Sequence, residues 1–122
     1  MYNYKYLFLY YYKGGIKLEV VYKKEDKLLT LKITEELDHH TVEKIRRKAD
    51  FEIERYIPSK VVLDFNGVSF MDSAGIGLIL GRYKNVSILG GKLEVVNVNN
   101  QVIKILNMSG LSKIIEIKEE CA

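Results

Sequence analysis

"KVVLDFNGVSFMDSAGIGLIL", residues 60–80, is the stretch whose reading decides the fold. It starts with a short apolar run that includes two valines, crosses a connector containing Gly67, and reaches an acid, a hydroxyl and a set of glycines between isoleucines and leucines. An apolar run of this length, "KVVLDF" at 60–65, predicts a central strand buried on both faces. Asp72 and Ser73 are residue types that accept a backbone N–H at a helix start, so a helix is expected to begin there. The glycines at 75, 77 and 81 would let that helix lie close to the sheet.

Working towards the N-terminus, "ELDHHTVEKIRRKADFEIERYIP" carries Val42, Ile45, Ala49, Ile53, Tyr56 and Ile57 at helical spacing. Pro58 disfavours helical geometry at Ile57 and should end the helix. Before it, "IKLEVVYKK" and "KLLTLKIT" are β-rich runs flanking the charged turn "KKED", a hairpin pattern. On the C-terminal side, "GG" at 90–91 ends the helix begun near Ser73. "KLEVVNV" is a further strand, "NNQVIKILNMSG" a short helix with Val102, Ile105 and Leu106 on one side, and "KIIEI" a last strand. The order β-β-α-β-α-β-α-β predicts an α/β domain, with a largely parallel or mixed sheet and right-handed crossovers. In such sheets ligands and partners meet the loops at the carboxyl ends of the strands, where residues 69–77 fall.

Those residues admit two readings. Asp72 or Ser73 could simply cap the helix, worth about 1 kcal/mol against alanine. Alternatively, the unpaired amides and partial positive charge of a helix start would suit a phosphate, or a hydroxyl that accepts one, or a protein partner. Enzyme readings fail on spacing. Glycines at 75, 77 and 81 miss the third member of a dinucleotide pattern, where Leu80 stands. Ser73 lacks the hydrolase elbow frame. His39 and His40 are adjacent and point apart, with no third ligand for a metal. No nucleophile, base and oxyanion hole assemble, so a binding module without catalytic residues, metal or cofactor is expected.

Composition agrees with a folded domain: of 122 residues, 48% are hydrophobic and 29% charged. The net charge of +3 owes two of its charges to Lys5 and Lys13, leaving the remainder near neutral. "RRK" at 46–48 is set among acids and reads as a solvated helix face, so no nucleic-acid partner is expected. No apolar run reaches the roughly 18–20 residues that span a bilayer, and no membrane association is expected. The lone Cys121 excludes an internal disulfide and fits a reducing compartment. The start, "MYNYKYLFLYYYKGG", alternates aromatics with the period of a strand. It reads as an added edge strand or a sticky extension over residues 1–15, jointed at Gly14-Gly15, which an assembly or membrane-surface role would also explain.

"ELDHHTVEKIR", "VVLDFNGVSFMDSAGIGLILGRYK" and "LNMSGLSKIIEI" together resemble the anti-anti-sigma factors of endospore-forming bacteria, the antagonists of the sigma-F anti-sigma factor, within the STAS domain class. The resemblance covers roughly residues 16–118, and "LDHHT", "FMDS-x-G-x-G", "LGRYK" and "MSGL" are specific in combination. It implies a STAS domain with a mixed four- to five-stranded sheet packed by helices. It also implies a cytoplasmic regulator of transcription in sporulation. Such a protein binds an anti-sigma factor that is also a serine kinase, releases sigma-F, and is switched off by serine phosphorylation and restored by a phosphatase. By position, Asp38, His39, His40, Asp72, Ser73, Ala74, Gly75, Ile76 and Gly77 would meet the partner, with Arg82 and Tyr83 packed or at the rim. The family reads D-S-S-G and modifies the second serine; here that position is Ala74. Three readings follow: a natural form blind to phosphorylation, a deliberate lock, or Ser73 as substitute acceptor. The first two are favoured, because one residue at a helix start turns a side chain by about 100°. Glu35 is a milder departure, standing where the family has glycine. Rival functions are an antagonist in a general-stress pathway and a STAS module that binds a small anion or nucleotide.

Overall fold

The computed structural model describes residues 5–11 and 17–120; Gly14-Gly15 and Cys121 lie outside them. In chain order the elements are β1 Lys5–Tyr11, β2 Lys17–Lys23, β3 Leu28–Ile33, α1 His39–Tyr56, β4 Lys60–Asp64, α2 Ser73–Ile88, β5 Lys92–Val98, α3 Asn100–Ser109 and β6 Glu116–Glu119. From β2 onward this is the expected order. The edge-strand reading of the aromatic start holds for residues 5–11, which makes the sheet six-stranded, in the order β1-β2-β3-β4-β5-β6.

The β2–β3 hairpin closes through residues 24–27, with Lys23 opposite Leu28 and a Lys27 amide donating to the Lys24 carbonyl at 3.2 Å. β3, β4, β5 and β6 then pair in parallel. Each crossover steps the same way along the sheet, so right-handed connections put all three helices on one face. Leu18, Val20, Leu29, Leu31, Val61, Leu63 and Val95 form the buried side of the sheet and pack against Ile45, Ala49, Ile53, Leu78 and Ile79 of the helices.

This explains one departure from the sequence reading. β4 is buried on one face only; Val62 and Asp64, on the other, are half-buried. A sheet whose strand order never reverses has no helices to cover its second face. That face is laced with charge instead. Glu94, itself buried, lies 3.2 Å from the Lys60 ammonium and 3.7 Å from that of Lys118.

The ends of the elements follow local chemistry. α1 stops at Tyr56, and Ile57 turns left-handed at φ 45° before Pro58, leaving its side chain 55% exposed rather than in the expected stripe. α3 ends at Gly110, φ 83°. The last strand begins later than "KIIEI" suggests: a single 3₁₀ turn, Leu111–Lys113, consumes its first residue and seats Ile115 in the core.

Candidate functional site at two helix starts

Two connectors leave the carboxyl ends of β3 and β4 and meet. Leu37 and Met71, both fully buried, form an isolated parallel bridge. The Leu37 amide donates to the Phe70 carbonyl at 3.0 Å, and the Asp72 amide donates to the Leu37 carbonyl at 3.2 Å. The bridge sets the next residues, Asp38 and Asp72, side by side as the N-caps of α1 and α2.

Each cap is satisfied within its own helix. The Asp38 carboxylate accepts from the amides of His40 at 2.9 Å and Thr41 at 3.1 Å, while the Thr41 hydroxyl accepts from the Asp38 amide at 3.1 Å. This is a reciprocal capping box in which threonine replaces the usual Glu or Gln. The Thr41 amide, then that of His40, holds Asp38 below the usual aspartate range. A depressed carboxyl contributes stability above its unfolded pKa and loses it as pH falls through the folded value. Asp38 is therefore an ionised cap at neutral pH. Asp72 accepts from the Ala74 amide at 2.8 Å.

Backbone packing places α2 closely over the connectors. A Cβ on Gly75 would stand 2.9 Å from Met71 Cβ and 3.3 Å from Leu37 Cβ, so this position needs glycine for close approach. Gly67, at φ 107°, would carry a Cβ 3.1 Å from Thr34 Cα, and it docks the second connector on the first. Gly77 and Gly81 differ: a Cβ there meets nothing within 4 Å. The expected close packing belongs to Gly75 alone, and Gly77 leaves the helix surface open.

The remaining residues of the predicted set surround these caps. His39 and His40 are exposed on the first turn of α1, Ser73 is exposed, Ala74 is half-buried, and Ile76 is half-buried against the core. Two contributors were not foreseen. Phe70 is 49% exposed beside the bridge; its apolar character reads as core in sequence and gave no signal. Asn99 caps α3 through the Val102 amide at 2.8 Å while its own amide donates to the Val68 carbonyl at 3.1 Å, tying the connector to a third helix start. Its place between a strand and a helix was the available signal. Arg82 lies away from this surface, packed as one of the two alternatives for it had it, 5% exposed and paired with Asp50.

The outward surface is thus a turn without a charged side chain between positions 73 and 77, flanked by two capped carboxylates and an exposed phenyl ring. A model of the STAS domain matches residues 19–122. The chain belongs to the STAS domain family. Over 90 residues, 74% of this chain and 77% of the relative, it is 43% identical to an anti-sigma F factor antagonist of Paenibacillus polymyxa. Among solved structures, the anti-sigma factor antagonist SpoIIAA in its unphosphorylated form superimposes with a TM-score of 0.67 at 28% identity, covering 92% of this chain and 87% of the other. The Bacillus cell fate determinant SpoIIAA in its phosphorylated form gives a TM-score of 0.61 at 27% identity, over 92% and 90%. This STAS domain therefore stands among the anti-sigma factor antagonists. Among its described residues, no helix is long and apolar enough to cross a membrane, and no three His, Cys, Asp or Glu cluster as a metal site.

Proposed function

We propose that this STAS domain binds an anti-sigma factor with serine kinase activity and thereby releases sigma-F during sporulation, acting in the cytoplasm by association alone. The observation that carries the proposal is the neutral α2 start, held outward by the Leu37–Met71 bridge, in a chain 43% identical to an anti-sigma F factor antagonist. Asp38, His39, His40, Asp72, Ser73, Ala74, Ile76 and Gly77 form the contact surface, with Gly75 buried beneath it against Met71 and Phe70 added as an apolar anchor. A small neutral turn permits close docking. A phosphate there would bring about −1.5 to −2 charges beside Asp72 and drive the pair apart.

Ala74 has no hydroxyl, so the protein stays in its binding-competent form. With the kinase and ATP, mass spectrometry should find the native chain unmodified and Ala74→Ser carrying one phosphate at the substituted position. Phosphate on Ser73 of the native chain would contradict this reading. The geometry disfavours a free anion as ligand: Asp72 occupies the Ala74 amide and Asp38 occupies two amides of α1, so these helix starts already hold their own carboxylates.

A further inference from the structure

The two edges of the sheet are built differently. β6 is four residues long, three of them charged, and its pairing with β5 is broken by a bulge between Val95 and Val98. Asn97 adopts φ 58° within that bulge. Short, charged and bulged strands keep an edge from pairing with other chains. β1 has none of these guards. It runs seven residues, "KYLFLYY", in unbroken antiparallel register with β2 from Lys5–Lys23 to Tyr11–Lys17, and contains one charge and no proline. It is the terminal strand of the sheet, and among the described residues nothing pairs with its outer side. It also lies outside the STAS match, which starts at residue 19.

We propose that β1 pairs with β1 of a second copy, antiparallel about Phe8, joining two sheets edge to edge in a symmetric dimer. The strand suits its own copy. With Phe8 on the two-fold axis, Leu7 faces Leu9, Tyr6 faces Tyr10, and the single cation Lys5 faces Tyr11, so no like charges stand opposite one another. β2 and β3 separate β1 from β4, placing the dimer axis roughly 14 Å or more in the plane of the sheet from the strand that feeds the α2 start. Both copies of the candidate partner surface then remain open.

Sedimentation equilibrium of the full chain tests this, with the variants Phe8→Lys and Phe8→Glu. The native chain should be dimeric at about 100 µM. Each variant alone puts like charges on the axis and should dimerise at least about tenfold more weakly. An equal mixture of the two should restore a dimer, which a merely structural effect would not do. A monomeric native chain, or a dimer undiminished in either variant, overturns the proposal. Should the variants unfold, hydrogen exchange on the native chain decides: protection of β1 amides must rise with protein concentration, and constant protection overturns it.

Discussion

Replacing Ala74 by aspartate should weaken association with the anti-sigma factor by about 100-fold or more, while the melting temperature stays level or rises slightly. The two halves of this result have different origins. Position 74 lies in the first turn of α2, and no acid stands in the first turn of that helix. A carboxylate there meets the positive end of the helix and gains about 0.3–1 kcal/mol, offset in part by the neighbouring Asp72. The fold is therefore not at risk. The docked complex is, because a new charge must be desolvated beside Asp72 and Asp38, both already committed as caps. Like charges brought together in an interface cost several kcal/mol, and each 1.4 kcal/mol is a factor of ten in affinity. Isothermal titration with the anti-sigma factor, alongside a thermal melt, reads both quantities. Unchanged affinity would show that position 74 is not at the interface.

The second large effect concerns stability. Arg82 is 5% exposed between α1 and α2, and its Nε lies 2.7 Å from the Asp50 carboxylate, which also accepts from the Asn85 side-chain amide at 2.9 Å. The pair is close but poorly aligned, since neither Nε nor Nη1 makes a well-directed hydrogen bond to any described residue. Burial pulls the Arg82 guanidinium below its ordinary value, and Asp50 offsets that only in part. Asp50→Ala should then destabilise the fold by about 2–3 kcal/mol, at or below the low end for removing one partner of a buried pair, because the Asp50 side chain is itself 23% exposed. Arg82→Met alone should cost less, and the double variant should lie within about 1 kcal/mol of the native chain, as apolar replacement of a buried pair is often neutral. Urea unfolding of the four proteins closes the cycle. An Asp50→Ala variant as stable as the native chain would show that Arg82 draws its compensation elsewhere.

How much was legible follows from which interactions are local. The hairpin, the helix stop at Pro58, a cap at Asp72 as one of the two residues offered there and the order of strands and helices from β2 onward rest on residues within a few positions of one another, and they read correctly. Ile57 and the pair Ile114-Ile115 were misplaced by turns next to them, and the other errors lie where distant segments decide. Val62 looks buried on both sides until the one-directional crossovers leave its outer face without helices. Ile114 and Ile115 read as strand, but Gly110 and the 3₁₀ turn reach first and deliver Ile115 to the core instead. Gly75 and Gly77 are indistinguishable in sequence; only the Leu37–Met71 bridge makes one a contact and the other a gap. Phe70, the proposed anchor, poses the same problem. Its exposure depends on which way a connector turns after Gly67, a choice no local pattern records.

The most direct test is a competition titration, in which labelled sigma-F is held by its anti-sigma factor with ADP and fluorescence anisotropy follows sigma as this protein is added. Saturable loss of anisotropy, with one STAS domain consumed per anti-sigma protomer and no response from Ala74→Asp, is the predicted result. Full retention of sigma at a large excess of the native chain would contradict the account.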